Sequence, residues 1–335
     1  MTSQDLSLPA PRSHHPTLPT LSPLPVPTGL AAALAAGPVV LDGGLSTELE
    51  RAGYDISGGL WSAALLRTAP DAARDAHRAF FDAGAQVATT ASYQASFEGF
   101  AEAGVGAAEV AELLRRSVEL AREAAGDVPG RWVAASVGPF GAVLAGGQEY
   151  TGEYARAGSD GALDVMALRG WHRRRLEVLA EAGADVLAIE TLPAAAEAEA
   201  LIAEVAALDV PAWISLTTVT DHESTVRTRL GEDAREVFAM AREVPQIIAV
   251  GVNCTDPGQV LPAVRVAAEA SGKPVVVYPN SGETWDAAAR NWHGCPDFPA
   301  EAVASWVAAG ARLVGGCCRV GPDQIRALRA ALPPT

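Results

Sequence analysis

The sequence predicts an α/β protein of the (β/α)8 barrel, or TIM barrel, class, preceded by a Pro-rich segment. Three observations support this prediction: eight short apolar runs recur along the chain, longer amphipathic and Ala-rich stretches separate them, and three helix-to-strand junctions share one pattern. Strands that alternate with helices form parallel sheets. Eight such units are the number that closes a barrel, whereas a doubly wound sheet usually has fewer strands.

The N-terminal segment differs from the rest of the chain in composition. Pro, Ser and Thr crowd the first 28 residues, and Pro at this density prevents both helix formation and strand pairing. We therefore predict an extended or disordered tail over residues 1–36 and a single barrel domain over residues 37–335. The tail contains the adjacent pair His14 and His15, which lacks partners at ligand spacing and is not expected to enclose a metal.

The eight apolar runs are the predicted barrel strands, and the stretches between them contain the predicted helices. The strand runs are 39–44, 86–93, 131–139, 186–192, 212–218, 247–254, 274–280 and 312–318. Helices are predicted over 70–83, 107–125, 162–182, 194–207 and 257–270. The junctions FDAGAQVATT, EAGADVLAIET and AAGARLVGGCC each place a Gly where a helix needs a left-handed residue to stop, and a buried strand follows at once.

Composition and charge exclude several classes of protein. Hydrophobic residues make up 49% of the 335 residues and charged residues 19%, which supports a large core and excludes wholesale disorder. The 25 Lys and Arg against 40 Asp and Glu give a formal charge of −15, which disfavours nucleic acid and anionic membranes as partners. The sequence contains no signal-peptide apolar region, and its four cysteines all fall in the last quarter of the chain. We therefore expect a cytoplasmic protein.

Catalytic groups of a (β/α)8 barrel lie at the carboxyl-terminal ends of its strands. Polar or reactive residues follow six of the predicted strands: Asp42, Gly43 and Gly44; Thr90 and Ser92; Glu190 and Thr191; Asn253 and Cys254; Pro279 and Asn280; and Cys317 and Cys318. The predicted barrel brings all of these residues to one mouth.

The cysteines among these residues predict a metal site. Cys254 ends the sixth strand and the pair Cys317 and Cys318 ends the eighth, and three thiolates from separate strands suit Zn²⁺ with one tetrahedral position left open. By local pattern alone, a Cys-Cys pair is also typical of buried packing or of a vicinal disulfide. The placement of all three at strand ends favours the metal. Cys295 lies in a long loop and has no predicted role.

An open site with three thiolates indicates a thiol substrate. Three thiolates donate so much negative charge that a metal-bound water would be only weakly acidified, so a substrate thiol suits the fourth position better. Zinc deprotonates a coordinated thiol outright, whereas a free thiol has a pKa of ~8.5. The predicted chemistry is alkyl transfer to sulfur.

Nine motifs between residues 41 and 319, taken together, resemble those of one enzyme family. They are LDGGLSTELE (41–50), LWSA (60–63), TTASYQAS (89–96), GPFGA (138–142), EYTG (149–152), ETLP (190–193), GVNC (251–254), YPNSGETWD (278–286) and GGCCR (315–319). The family they resemble is the homocysteine S-methyltransferases, whose zinc signature is similar to GVNC followed by GGCC. The resemblance implies a zinc-dependent (β/α)8 enzyme that methylates L-homocysteine to methionine.

The resemblance also implies roles for individual residues. Cys254, Cys317 and Cys318 match the zinc ligands, through which catalysis proceeds. Asp42 and Glu190 match the carboxylates that hold the homocysteine amino group, and two acids at one mouth suit an ammonium. The other residues implied to bind substrate are Gly43 and Gly44 by close backbone approach, Asn253 as an amide donor to the substrate carboxylate, and Thr90 and Ser92 by polar contacts. The alternative for these side chains is a hydrogen bond that only orders a loop.

The methyl donor and the acceptor remain open within the family. TTASYQAS and YPNSGETWD resemble the subgroup that takes S-methylmethionine, or S-adenosylmethionine less well, and the chain lacks the length for a folate or cobalamin domain. A sulfonium donor is a cation, which an acidic mouth with aromatic residues would hold by cation–π contact. The alternatives are a betaine-using or selenocysteine-using relative and a non-catalytic zinc-binding protein on the same fold. The sequence does not predict the oligomeric state.

Overall fold

Eight parallel strands form the central sheet of the computed structural model, which describes residues 29–56, 60–208, 210–286 and 291–333. The strands are β1 (Val39–Val40), β2 (Val87–Thr89), β3 (Trp132–Val137), β4 (Val186–Leu192), β5 (Ala212–Leu216), β6 (Ile247–Asn253), β7 (Val275–Tyr278) and β8 (Ala311–Val314). They pair in the order β1–β8–β7–β6–β5–β4–β3–β2, and a parallel bridge between Leu41 and Val87 joins the two ends. The predicted (β/α)8 barrel is confirmed, and every strand overlaps a predicted run.

Helices surround this sheet. They are α1 (Leu30–Ala36), α2 (Leu45–Arg51), α3 (Leu65–Thr68), α4 (Pro70–Ala83), α5 (Phe97–Glu102), α6 (Ala107–Ala125), α7 (Phe140–Val143), α8 (Val165–Glu181), α9 (Ala195–Ala207), α10 (Ala234–Met240), α11 (Val260–Ser271), α12 (Val303–Ala308) and α13 (Pro322–Ala331). The predictions for α4 and α6 match at both ends. Helix α8 begins three residues later than predicted because the Asp164 side chain accepts a hydrogen bond from the Ala167 N–H and caps the helix there.

The three repeated junctions contain left-handed glycines, as predicted. Gly84, Gly183 and Gly310 have φ values of +103°, +80° and +123°, and each lies between a helix and the strand that follows. A side chain with a Cβ is disfavoured at such φ values, which explains why Gly recurs at this point of the repeat.

Side chains alternate between two cores along each strand, as the period of two in a strand requires. Residues such as Val133, Leu187 and Val250 face outward and pack under the helices. The inward-facing residues fill the barrel itself: Val39, Leu41, Val87, Trp132, Ala134, Val186, Ala188, Trp213, Ala249, Val276, Tyr278 and Leu313. Two residues further along their strands, the inward positions become polar: Thr89, Ser136, Glu190 and Ser215. The interior of the barrel is therefore apolar along most of the strands and becomes polar at their carboxyl-terminal ends.

Helix α1 lies in the part of the chain that we predicted to be a tail. Its residues Leu30, Ala33 and Leu34 are buried and pack against the interior core at the start of the strands. Their spacing places them on one helical face, so burial of this face stabilises a helix that follows a Pro-rich segment. Residues 30–36 therefore belong to the barrel. Residues 1–28, with the histidine pair, lie outside the described residues, so the remainder of the tail stays a prediction.

Two antiparallel hairpins follow strand ends on the mouth side of the barrel. Thr218–Thr220 pairs with Val226–Thr228 after β5, and Thr284–Asp286 pairs with Asn291–His293 after β7. Among the described residues, the helices all fall short of the length and apolarity needed to cross a bilayer.

Candidate active site

Three thiols meet at the carboxyl-terminal mouth of the barrel. Cys254 directly follows β6, and Cys317 and Cys318 follow β8. The Sγ atom of Cys254 lies 2.7 Å from that of Cys317 and 3.8 Å from that of Cys318, and the latter two are 4.0 Å apart. The structure thus brings together the three cysteines that the sequence placed at strand ends.

Two of the three thiol separations fit ligands of one metal ion. Sulfur atoms at ~2.3 Å from a shared tetrahedral centre lie about 3.8 Å apart. Two of the three separations match this value, and the third, 2.7 Å, is longer than the ~2.05 Å of a disulfide. Cys254 is buried, whereas Cys317 and Cys318 are half-buried and face the mouth cavity. Three thiol ligands with one open side are the arrangement of a site that accepts a further ligand.

The backbone around the thiols adopts unusual conformations. Of the five described non-glycine residues with positive φ, three border the site: Thr191 at +63°, Cys254 at +46° and Arg319 at +65°. Such conformations cost about 1–3 kcal/mol each and persist only where surrounding contacts impose them. At Cys254 the N–H donates to the Tyr278 carbonyl at 3.3 Å, and the carbonyl accepts from Thr217 Oγ1 at 3.1 Å.

Two buried carboxylates lie beside the thiols. Asp42 accepts hydrogen bonds from the Thr89 N–H at 2.6 Å and from Thr89 Oγ1 at 2.9 Å. Burial raises the pKa of Asp42 to about 8, and the charge of Glu190 adds to this effect. Glu190 accepts a hydrogen bond from Ser136 Oγ, and burial raises its pKa to about 7, with a further contribution from Cys254. A cation between the two acids would favour ionisation of both.

Asn253 lies behind the thiols and is fully buried. Its Oδ1 accepts hydrogen bonds from the Thr191 N–H and from Ser215 Oγ, both at 2.7 Å. Its Nδ2 donates to Thr191 Oγ1 at 2.6 Å and to Cys317 Sγ at 4.0 Å. The amide that we predicted to contact the substrate carboxylate is thus engaged by protein groups, and it connects the end of β4 to a cysteine of the cluster.

Thr90 and Ser92 form a link to the residue that holds Glu190. Their hydroxyl oxygens are 2.7 Å apart, Ser92 Oγ donates to the Ser136 carbonyl at 2.7 Å, and the Ser136 N–H donates to Thr90 Oγ1 at 3.0 Å. Thr90 also lines the mouth cavity, whereas Ser92 is fully buried. The link positions β3 so that Ser136 reaches the carboxylate.

Gly43 and Gly44 line the cavity and contact the loop that carries the cysteines. A Cβ at Gly44 would lie 2.6 Å from the carbonyl oxygen of Cys317, and one at Gly43 would lie 2.3 Å from that of Val320. Backbone therefore approaches backbone at this point, which only Gly permits.

Thiols and carboxylates open into one cavity of about 690 Å³, within the range of small-molecule sites. Sequence reasoning missed further residues that line it: Thr89, Tyr93, Ser136, Glu149 and Arg319. The alternation along β2 and β3 was the signal for Thr89 and Ser136. Glu149 and Tyr150 come from a short helical turn, Gln148–Tyr150, that no periodicity connects to the mouth.

Other residues singled out in the sequence lie elsewhere. Cys295 is exposed and is not part of the thiol cluster. Outside the cavity, His77 is fully buried in α4, and burial lowers its pKa to about 4.

The fold and the site together define a (β/α)8 barrel protein with a cysteine cluster that can hold a metal ion beside a small-molecule cavity. More specifically, the chain belongs to the homocysteine S-methyltransferase family, whose model matches residues 39–332. It is 42% identical over 318 residues to homocysteine S-methyltransferase 4 of Zea mays, covering 89% of this chain and 90% of the relative.

Two further relatives bear on acceptor and metal. The selenocysteine Se-methyltransferase of Brassica oleracea var. italica is 38% identical over 318 residues, which cover 88% of this chain and 89% of the relative. The metallated form of the homocysteine methyltransferase MmuM from Escherichia coli superposes with a TM-score of 0.75 at 40% identity, covering 88% of this chain and 96% of that one.

Proposed function

We propose that this protein transfers a methyl group from S-methylmethionine, or less effectively from S-adenosylmethionine, to L-homocysteine in a zinc-dependent reaction that forms methionine. The observation that carries the proposal is the meeting of three thiols and two buried carboxylates in one cavity. Such a site suits a small molecule with a thiol at one end and an ammonium at the other. Homocysteine has both groups, and the activity named for the maize relative supports the assignment.

Cys254, Cys317 and Cys318 are the proposed zinc ligands. Thiolates are soft ligands that favour Zn²⁺, and the separations of 3.8 and 4.0 Å fit tetrahedral geometry. Bound zinc would hold the substrate sulfur as a thiolate at neutral pH and so supply the nucleophile.

Asp42 and Glu190 are proposed to hold the substrate ammonium. Both acids are buried, both have raised pKa values, and the charge of Glu190 acts on Asp42, so a shared cation lowers the energy of the ionised pair. The other proposed residues act around this pair: Gly43 and Gly44 shape the wall, Thr90 lines it, and Ser92 and Asn253 position their neighbours.

Methyl transfer is proposed to be a direct displacement. A lone pair of the homocysteine sulfur forms the new carbon–sulfur bond, and the donor's carbon–sulfonium bond breaks with its electron pair returning to the donor sulfur. The thiol proton is released to solvent before transfer, so the step needs no general base. The protein contributes mainly alignment of the two sulfurs and the methyl carbon.

The direct test incubates purified, zinc-loaded protein with homocysteine and one methyl donor and quantifies methionine. S-methylmethionine, S-adenosylmethionine and betaine are tested as donors in separate reactions. The two sulfonium donors should yield methionine, S-methylmethionine faster. Bound zinc without methionine from any donor would instead support a non-catalytic zinc-binding protein.

A variant pair tests the proposed metal site. Cys317→Ala should remove bound zinc and activity together, whereas Cys295→Ala alters an exposed cysteine outside the cluster and should keep both. A zinc-free Cys317→Ala protein that still formed methionine would refute the proposed mechanism.

Selenocysteine is a second candidate acceptor, because a selenolate is also a soft ligand and the Brassica relative is named for that activity. Competition between homocysteine and selenocysteine for one donor distinguishes the two acceptors. We further propose that the partners are small molecules and include neither nucleic acid nor membrane. We also propose a cytoplasmic location, because the site requires reduced thiols.

A further inference from the structure

Glu149 is a buried acid in the mouth cavity and is not among the residues proposed to bind zinc or homocysteine. The residue is 7% exposed and lines the same cavity as the thiols. The oxygen Oε2 is buried and has no hydrogen-bond partner among the described residues.

The other buried acids among the described residues have partners. Asp42 is bonded by Thr89, and Glu190 by Ser136. Glu197 accepts hydrogen bonds from the Phe140 N–H and from Tyr154 Oη.

The protein cations nearby are engaged elsewhere. Arg319, the one described Arg or Lys that lines the cavity, pairs with Glu283 at 3.2 Å. Arg229 donates to Thr217 Oγ1 at 3.0 Å and to the Cys254 carbonyl at 3.5 Å, with its guanidinium 5.6 Å from the Tyr150 ring centroid. No ion pair of Glu149 occurs among the described residues.

We propose that Glu149 binds the positive charge of the methyl donor and makes this subsite selective for a sulfonium over a neutral thioether. The inference rests on the proposed function and adds a residue for its second substrate. Two observations support it. Tyr93 and Tyr150 line the same cavity, and aromatic rings attract cations. The charge of Cys254 acts on Glu149, so the carboxylate lies within electrostatic range of the thiol cluster.

The charge that Glu149 recognises is lost in the reaction. Transfer of the methyl group converts the sulfonium into a neutral thioether, so the carboxylate attracts the donor and no longer attracts the product at that atom. Because the positive charge is greatest before transfer, the interaction lowers the donor KM and does not raise kcat.

The test compares Glu149→Gln with wild type in the zinc-loaded protein. Isothermal titration calorimetry measures the Kd of S-methylmethionine and of methionine, which share a skeleton and differ in the charged methyl group. Wild type should prefer the sulfonium, and Glu149→Gln should weaken S-methylmethionine at least about tenfold while methionine changes less than about twofold, because a neutral amide retains shape but not charge. The donor KM should rise in parallel with kcat unchanged.

Two variants serve as controls. Glu153→Gln makes the same change four residues along the chain at an exposed acid that pairs with Arg156, and it should leave both Kd values unchanged. Glu149→Asp keeps the charge on a shorter side chain and should retain part of the sulfonium preference.

The proposal is overturned if wild type shows no preference for the sulfonium, or if Glu149→Gln keeps that preference or weakens both ligands equally. These measurements need no turnover. A protein that prefers the sulfonium but forms no methionine would contradict the proposed function and leave the role of Glu149 intact.

Discussion

Replacing Gly44 by Ala should displace Cys317, one of the proposed metal ligands. The backbone φ of −69° at this position is one that Ala adopts, so the effect is steric and not conformational. An added Cβ would lie 2.6 Å from the Cys317 carbonyl oxygen, whereas ordinary contact begins at 3.4 Å, so the oxygen must move by 3.4 − 2.6 = 0.8 Å. Thr47 Oγ1, at 2.8 Å from the same Cβ, blocks relaxation on that side.

This displacement exceeds what a metal site tolerates. Ligand distances vary by only about 0.2 Å, and disturbing groups that orient ligands typically costs about 10–100-fold in metal affinity. We therefore expect Gly44→Ala to weaken zinc binding at least about tenfold, or ~1.4 kcal/mol. Titration of metal-free protein with zinc against a chromophoric chelator measures the change.

Gly106→Ala is the matched control, because a Cβ at Gly106 meets nothing within 4 Å and its φ is −71°. It should bind zinc as wild type does, and circular dichroism should show both variants folded. Wild-type zinc affinity and activity in Gly44→Ala would refute the claim that this contact positions Cys317.

Three further predictions address the two carboxylates and helix α1. The melting temperature of metal-free protein should fall as pH rises from 6 to 9. In the folded protein the pKa of Asp42 is about 8, against an ordinary value of 3.8, and that of Glu190 is about 7, against 4.5. The folded state therefore holds protons that the unfolded state releases, so rising pH favours unfolding. A melting temperature that stays level or rises would contradict this, and Asp42→Asn should flatten the dependence. Ser136→Ala should raise the homocysteine KM about tenfold or more with zinc content unchanged, because a hydrogen bond to a carboxylate contributes about 1.5 kcal/mol or more; an unchanged KM would argue against the role of Glu190. Deleting residues 1–36 should destabilise the protein by about 3–6 kcal/mol, since the burial of two leucines of α1, at about 1.5–3 kcal/mol each, is lost. Denaturant unfolding measures this, and equal stability after deletion of residues 1–28 or 1–36 would contradict it.

The strands and main helices were predictable because their signals are local. Apolar runs, Ala-rich stretches and the glycines at 84, 183 and 310 each report on their own few residues, and repetition turned them into a strand count. Helix α1 was missed for the opposite reason: its apolar face spans seven residues beside a Pro-rich segment, and only contact with the barrel interior gives that face a partner.

The candidate site divides in the same way. Cys254, Cys317 and Cys318 were found because strand ends converge in this fold, and Asp42 and Glu190 by their motifs. Glu149 stands in one of those motifs, EYTG, but its burial and its free oxygen depend on tertiary packing of a loop. For Asn253 the motif identified the residue but not its partners. Only the structure shows that its amide is hydrogen-bonded to protein groups.

The position of α1 has a practical consequence for handling the protein. This helix packs where the strands begin, at the pole of the barrel opposite the thiols, so the chain that precedes Gly29 is attached on the side away from the cavity. A purification handle, a fused partner or a surface anchor joined directly at Gly29 would therefore begin on the side away from the opening. Immobilisation from this end should preserve access for both substrates.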